Sequence, residues 1–318
     1  MLFFAVGCQK SEPDNASQLQ KVVLKLDWYA EPAHGGFYQA MLSGFYAEEG
    51  LDVEIIQGGP GAVPLQSVTV GNADFALRRV DDVILGIDRG LPLLLVMAYM
   101  QKDPQAIMFH ASNPIETWQD LDGKALMVEP GSTFVTWLQK YHGIHFDILP
   151  SDYGIQRFLA DKNFIQQCFI TSQPYFAKQQ GAEVKTLLLS DSGYNPERVV
   201  MTNRSLAKRN PEMVAAFVRA SIRGWEQYMR GDPSETHQLL NELNKANNDG
   251  LNAYSHRAML DYQIVFGDSD SGKSLACLDA KKLEGTISTL HELGLIQNKL
   301  SLDRVIDYSI LPPEVAGE

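Results

Sequence analysis

The sequence predicts a two-lobed α/β protein with a hinge between its lobes, on the basis of three observations. Short apolar strands alternate with amphipathic helices over residues 20–105. The alternation starts again after Asn113-Pro114 and continues to about residue 198. Beyond residue 203 the pattern is helical, with no strands between the helices. Strands that alternate with helices are typical of wound, parallel sheets, so two such series indicate two sheets.

The first series shows both helix and strand periodicity. Residues 51–56 alternate between apolar and polar, as a half-buried strand does, and residues 92–100 are apolar throughout. Apolar residues three to four apart mark a helix that Gly50 ends. The predicted strands are 22–26, 51–56, 73–77 and 92–100, and the predicted helices are 36–49, 63–70 and 80–89.

The second series predicts a separate sheet that is inserted into the first lobe. Its predicted strands are 124–128, 146–149, 167–171 and 184–189, with a helix at 132–142 and a return strand at 198–202. The terminal helices are predicted at 211–230, 233–247, 254–266 and 279–294, and they can cover the first sheet. We therefore expect lobe 1 at 20–105 and 204–318, lobe 2 at 106–203, and hinge crossings near 106–110 and 198–203.

Composition excludes some classes of function. The 318 residues are enough for two cores. The formal net charge of −12, without a dense Lys/Arg run, argues against a nucleic-acid partner. The three cysteines, Cys8, Cys168 and Cys277, form no CxxC pair or Cys/His cluster, so no zinc site and no cofactor are predicted. Cys168 and Cys277 are expected to be buried thiols, although the sequence leaves a disulfide between them open.

The N-terminus carries information about the compartment. An apolar run from Leu2 to Gly7 precedes Cys8, and a polar tether follows. Residues 1–19 therefore resemble a partial lipoprotein signal and tether, which implies lipidation of Cys8 and a periplasmic or cell-surface location. The run departs from that pattern at Ala5, where leucine is usual, and it lacks a basic segment; a misassigned start codon, or no signal at all, is the alternative. No later stretch approaches the ~20 apolar residues of a membrane span.

Several motifs resemble those of the NMT1/THI5-like substrate-binding proteins, and the resemblance extends over essentially the whole mature chain. The opening block runs from Leu26 to Val53, and the other matching segments are 71–75, 118–124 and 171–175. That family includes binding proteins for thiamin pyrimidine precursors and is similar to those for riboflavin, alkanesulfonates, taurine and nitrate. The resemblance implies the periplasmic-binding-protein type II fold, a monomer, and an ABC permease in the membrane as partner. It also implies that a small-molecule ligand is bound and delivered without chemistry.

The superfamily also contains intracellular pyrimidine synthases, which carry a cysteine-rich segment and consume a histidine. Cys168 stands alone in this sequence, so the resemblance favours a binding protein over an enzyme. A sensor domain is a further alternative of a different class.

The first candidate site residues follow the first predicted strand. Ligands of open α/β sheets bind beyond the carboxyl ends of the strands. Asp27, Trp28 and Tyr29 occupy that position, and His34 and Tyr38 follow a few residues later. An aromatic pair with an imidazole suits a flat heterocycle, whose faces stack and whose edges form hydrogen bonds. The alternative is that the two aromatic residues belong to the core.

Two further turns in the first lobe contribute candidates. Gly59 lies in a glycine-rich turn that can bring the backbone close to a ligand or can simply be tight. Arg78 and Arg79 are placed just after the third strand, where a guanidinium can clamp a carboxylate, sulfonate or phosphate. An ion pair with Asp81 or Asp82 is the alternative.

The second lobe supplies the remaining candidates, which are Glu129, Ser132, Gln173 and Tyr175. Glu129 and Ser132 open a helix whose amides can accept anionic or carbonyl groups. Gln173 stands where relatives carry an acid, and because it both donates and accepts it suits a lactam edge. We therefore expect a small heterocycle, such as a thiamin pyrimidine precursor or a riboflavin-like ring. The alternatives are an alkanesulfonate, taurine or nitrate held by an arginine and, with less support, pyrimidine-synthase-like activity.

Overall fold

The computed structural model describes residues 19–268 and 275–317. Within these ranges ten strands form two sheets of five. The strands are β1 (Gln20–Lys25), β2 (Leu51–Ile56), β3 (Phe75–Arg79), β4 (Leu93–Met100), β5 (Gln105–His110), β6 (Ala125–Val128), β7 (Asp147–Pro150), β8 (Ile165–Phe169), β9 (Val184–Leu188) and β10 (Arg198–Asn203).

Helices cover both sheets. They are α1 (Gly35–Leu42), α2 (Phe45–Glu48), α3 (Pro64–Thr69), α4 (Val80–Asp88), α5 (Thr133–His142), α6 (Gln156–Ala160), α7 (Gln173–Gln179), α8 (Arg204–Arg209), α9 (Pro211–Arg230), α10 (Ser234–Leu243), α11 (Asp249–Asp261), α12 (Ala280–Glu292) and α13 (Pro313–Ala316). None of the described helices is long and apolar enough to cross a membrane.

Each sheet is mixed rather than purely parallel. The first has the order β2-β1-β3-β10-β4 and the second β7-β6-β8-β5-β9. In the first sheet β10 is antiparallel to both β3 and β4, and in the second β5 is antiparallel to β8 and β9. The parallel sheets expected from the sequence are therefore interrupted by the strands that connect the two sheets. A strand that enters from the other sheet arrives in the opposite direction from those connected by helices.

Over the part of the chain that the structure describes, the backbone passes between the sheets twice, at residues 101–104 and 189–197. The sequence analysis placed the crossings near 106–110 and 198–203, but these residues belong to β5 and β10, which are hydrogen-bonded on both sides within their own sheets. Asn195 ties the crossings together: its Oδ1 accepts from the Asp103 N–H at 2.9 Å and its Nδ2 donates to the Gln101 carbonyl at 3.1 Å. The division into two moving lobes stays a prediction.

The motif His34-Gly35-Gly36 is explained by packing. A Cβ on Gly36 would lie 2.1 Å from the Trp225 ring, and one on Gly35 would lie 2.1 Å from the Tyr228 ring. Both aromatic residues are buried on α9. The two glycines therefore let α9 approach α1, and this contact covers one face of the first sheet.

Local backbone chemistry explains two differences from the predicted helices. The helix expected at 36–49 is broken where Gly44 adopts a φ of +73°, a left-handed conformation that glycine tolerates best. The helix expected at 254–266 begins earlier, because the Asn248 side chain accepts the N–H of Leu251 and caps α11.

Cys168 and Cys277 are both buried and do not form a disulfide with each other. Burial raises the pKa of the Cys168 thiol. Cys8 lies outside the described residues.

Candidate functional site

A cleft with a cavity volume of about 190 Å³ lies between the two sheets. Strand ends and turns from both sheets line it, as expected for open α/β sheets. The residues from the sequence analysis that line it are Asp27, Trp28, His34, Gly59, Arg78, Arg79, Glu129 and Gln173. Their role in ligand binding stays a prediction.

Aromatic rings form one wall of the cleft. Trp28, just past β1, faces Tyr153, just past β7, with ring centroids 5.4 Å apart and planes tilted by 39°. Tyr29 does not line the cleft; it is 44% exposed and its ring packs edge-on against Trp28. It also covers Gly59, where a Cβ would lie 3.0 Å from the ring. Tyr29 therefore supports Trp28 from outside.

Asp27 lies at the centre of a buried charged group. Its Oδ1 is 3.2 Å from His34 Nε2, and its Oδ2 is 3.3 Å from Arg198 Nη1. Burial by itself would raise the pKa of Asp27, but Arg198 and the hydrogen bond from His34 outweigh it and hold that pKa well below its usual range. The carboxylate thus stays ionised and accepts a hydrogen bond from the N–H at Nε2 of His34. His34 Nδ1 is buried without a hydrogen-bond partner in the described residues.

The two adjacent arginines are the last residues of β3 rather than the first residues after it. Arg78 Nε is 2.9 Å from Asp82, and Arg78 Nη2 is 3.7 Å from Glu129 of the second lobe. Arg79 is buried, with Asp82 at 3.2 Å, Asp81 at 3.3 Å and Gln105 Oε1 at 2.9 Å. The ion pairs with the aspartates are therefore present, but they lie in the cleft wall and not on an open surface.

Gln173 begins α7 and faces the cleft with its amide oriented by its neighbours. Its Oε1 accepts from the Phe169 N–H and from the Ser172 hydroxyl, both at 2.8 Å. A backbone N–H can only donate, so the oxygen must point toward it. The Nε2 donor is left without a partner among the described residues. Gln173 can therefore donate to a ligand but does not accept from one.

Glu129 and Ser132 have separate positions. The Glu129 side chain faces Arg78 across the cleft. Ser132 does not line the cleft: its Oγ donates to the Glu129 carbonyl at 2.8 Å, so the hydroxyl closes its own turn. The expectation that Ser132 lies at the ligand site is not met by this geometry.

Two tyrosines from the sequence analysis lie away from the cleft. Tyr38 is buried in the core of the first lobe, because α1 turns that side chain inward, and burial raises its pKa. Tyr175 lies between α7 and α11, where its hydroxyl donates to Asn248 Oδ1 at 2.9 Å and its ring packs against Tyr254. It joins the lobes beside the cleft.

A second contact between the lobes is buried. Asp81 on α4 accepts a hydrogen bond from the Tyr194 hydroxyl at 2.6 Å and another from the hydroxyl of Thr133 at the start of α5. Arg79 Nε lies 3.3 Å from the same carboxylate. This group holds the first turns of α4 and α5 together on one side of the cleft.

The sequence analysis missed several residues that line the cleft, among them Glu31, Tyr153 and Arg198. Glu31 lies between two predicted candidates, Tyr153 follows a predicted strand, and Arg198 begins the return strand β10. Tyr153 could have been found by the rule that ligands bind beyond the carboxyl ends of strands, because it follows β7. Arg198 meets Asp27 only through the fold, since 171 positions separate them in the chain.

The fold defines the class of protein. Two mixed five-stranded sheets joined by two crossings around a cleft form the periplasmic-binding-protein type II fold. The periplasmic aliphatic sulphonate-binding protein SsuA of Escherichia coli has the same fold, with a TM-score of 0.66 and 15% identity over 91% of this chain and 92% of that one.

The chain belongs to the family described as NMT1/THI5 like, whose model matches residues 31–236. The formylaminopyrimidine-binding protein of Halalkalibacterium halodurans is 25% identical over 77% of this chain and 78% of its own length. The riboflavin-binding protein RibY of Chloroflexus aurantiacus is 26% identical over 71% of this chain and 67% of its own. A 4-amino-5-hydroxymethyl-2-methylpyrimidine phosphate synthase of Legionella pneumophila is 23% identical over 71% of this chain and 74% of its own length. The relatives therefore include a protein named as an enzyme.

Proposed function

We propose that this protein is the extracytoplasmic substrate-binding subunit of an ABC importer and that it holds a small, flat heterocycle in the cleft. The observation that carries the proposal is the contact between Trp28 and Tyr153, two rings from opposite lobes. The face of Trp28 already packs on an aromatic ring, and a flat ligand would make the same kind of contact. Relatives named for a formylaminopyrimidine and for riboflavin support this ligand class.

The charge arrangement disfavours an anionic ligand. Each guanidinium of the cleft is beside a carboxylate: Arg198 beside Asp27, and Arg78 and Arg79 beside Asp82. A sulfonate or nitrate would have to compete with these carboxylates. The arginine clamp considered from the sequence is therefore the weaker hypothesis.

The proposal includes no chemistry on the ligand. His34 is held by Asp27, and the Ser172 hydroxyl donates to Gln173, so neither arrangement pairs a nucleophile with a base. Cys168 is buried, with a raised thiol pKa, and cannot act as an exposed thiolate. Such a set of groups orients a ligand rather than transforming it.

The location and partners are part of the same proposal. The protein acts as a monomer, is anchored outside the cytoplasm by a lipid on Cys8, and delivers its ligand to a membrane permease. Cys8→Ser should release it from the membrane fraction. A native protein that fractionates as cytosolic with an intact Met1 would contradict the anchor.

Mass spectrometry tests the proposed ligand class. Protein purified under native conditions is denatured, and the released small molecules are identified. We expect a planar nitrogen heterocycle, at a stoichiometry that falls when Trp28 is replaced by alanine. Release of an aliphatic sulfonate alone, or turnover of the bound heterocycle, would contradict the proposal.

A further inference from the structure

Glu31 differs from the other acidic residues of the cleft. It precedes the short 3₁₀ helix Pro32–His34, is half-buried, and lines the cavity. Its side chain does not cap that helix and has neither an ion pair nor a hydrogen bond with the described residues. It is thus a carboxylate that faces the cleft without a partner.

Among the described residues that line the cleft, the carboxylates outnumber the guanidinium groups by one. The acidic residues are Asp27, Glu31, Asp82 and Glu129, and the guanidinium groups are those of Arg78, Arg79 and Arg198. Arg198 pairs with Asp27, Arg79 with Asp82, and Arg78 with both Asp82 and Glu129. Of these four carboxylates, Glu31 is the one without a guanidinium partner in the described residues.

The surroundings of Glu31 disfavour the negative charge of its side chain. Burial raises the pKa of Glu31, and the negative charge of Asp27 adds to the effect, while His34 and Arg198 oppose it without cancelling it. A partly desolvated carboxylate gains most from a partner that brings a positive charge or N–H donors.

The opposite lobe supplies a complementary group. The Nε2 of Gln173 is a free donor, because Oε1 is occupied by Phe169 and Ser172. The cleft therefore presents an acceptor with negative charge on one lobe and a neutral donor on the other. This corrects the lactam hypothesis drawn from the sequence, which required Gln173 to accept as well as donate.

We propose that the ligand is a flat nitrogen heterocycle with a basic amino substituent, whose cationic group pairs with Glu31 and whose ring nitrogen or carbonyl accepts from Gln173. This rests on the proposed function and narrows its ligand class. Glu31 is then the residue that selects charged over neutral rings of the same shape.

Glu31→Gln tests the proposal, since it keeps the size of the side chain and removes its charge. Two probes are titrated calorimetrically: 4-amino-5-aminomethyl-2-methylpyrimidine, which carries an ammonium group, and 4-amino-2,5-dimethylpyrimidine, which does not. The variant should bind the charged probe at least about tenfold more weakly and the neutral probe within about threefold of the wild type. The matched control is Glu54→Gln, which removes a charge from an exposed position of β2 and should change neither affinity.

The outcomes separate this inference from the proposed function. Equal losses for both probes, or no loss for either, would overturn the role of Glu31; if Trp28→Ala still weakened both probes, the heterocycle site itself would stand. If the wild type bound no heterocycle, and if Trp28→Ala also had no effect on other ligands, both the role of Glu31 and the proposed function would be overturned. Circular dichroism spectra that match the wild type establish that each variant is folded.

Discussion

Gln173 shows how a single side chain sets what the cleft can recognise. The sequence identifies the residue and its departure from the acid of relatives. It cannot show that the Phe169 N–H and the Ser172 hydroxyl occupy the amide oxygen, because those contacts depend on how the first turn of α7 meets β8. Gln173 therefore offers the cleft only its Nε2 donor, which suits a hydrogen-bond acceptor on the ligand.

Gln173→Glu should reverse that preference. In the variant, one carboxylate oxygen can still accept from the Phe169 N–H. The other oxygen takes the place of the Nε2 donor, so the cleft meets a hydrogen-bond acceptor there instead of a donor. We expect the affinity ratio of an aminopyrimidine to riboflavin to rise by about tenfold or more, measured by calorimetric titration. Gln179→Glu, an exposed change on the same helix, is the control. An unchanged ratio would mean that Gln173 does not contact the ligand.

The residues that the sequence could identify share a local signal. Asp27, Trp28 and His34 follow a clear strand and face the cleft, as the strand-end rule predicts. Tyr38 obeys the same rule by position but is buried, because the rotation of α1 decides which side its residues face. Arg198 had no local signal, since its role depends on a partner in a distant part of the chain.

At the scale of elements, the connection between β4 and β5 carries a buried acid. Asp103 is 0% exposed; its Oδ1 accepts from the Gln105 N–H at 3.2 Å, and its Oδ2 has no hydrogen-bond partner in the described residues. Burial raises its pKa from 3.8 to about 6, although Arg198 and Arg79 act in the opposite direction. The ionised form is therefore less favourable in the folded protein than in the unfolded chain.

Asp103→Asn should stabilise the protein in a pH-dependent way. Between about pH 4 and pH 6 the folded wild type binds this proton more tightly than the unfolded chain, so its contribution to stability falls as the pH rises through that window. The gain from Asp103→Asn should be below about 1 kcal/mol at pH 4 and on the order of 3 kcal/mol at pH 7, measured by chemical denaturation. Asp52→Asn, at an exposed position of β2, is the control. A gain that is equal at both pH values would contradict this account of Asp103.

The pattern of elements was largely readable from the sequence, while strand direction was not. The buried run of β4 and the alternating run of β2 follow directly from their residues. The antiparallel placement of β10 between β3 and β4 results from the return of the chain from the other sheet, which local periodicity does not encode.

At the scale of the whole molecule, the arrangement favours hinge closure. Two crossings connect the sheets, and contacts such as Arg78–Glu129 and Asp81–Tyr194 join the lobes across the cleft. Periplasmic binding proteins are known for hinge closure around a ligand. The sequence indicated the two lobes but placed the crossings several residues away from where the sheets are joined.

Ligand binding should therefore compact the molecule. Small-angle scattering with a saturating heterocycle should give a smaller radius of gyration than the free protein. Trp28→Ala at the same ligand concentration should show less compaction, because less of it is bound. An unchanged radius at saturation would contradict closure about the two crossings.

Calorimetric titration of the wild type and Trp28→Ala against an aminopyrimidine, riboflavin and taurine tests the central claim most directly. Stacking of one ring is worth ~0.5–1.5 kcal/mol beyond the area that it buries, so losing the Trp28 ring should weaken heterocycle binding about tenfold or more. The account predicts that a heterocycle binds the wild type most tightly and that the variant loses this affinity. Tightest binding of taurine, with no effect of Trp28→Ala, would contradict it.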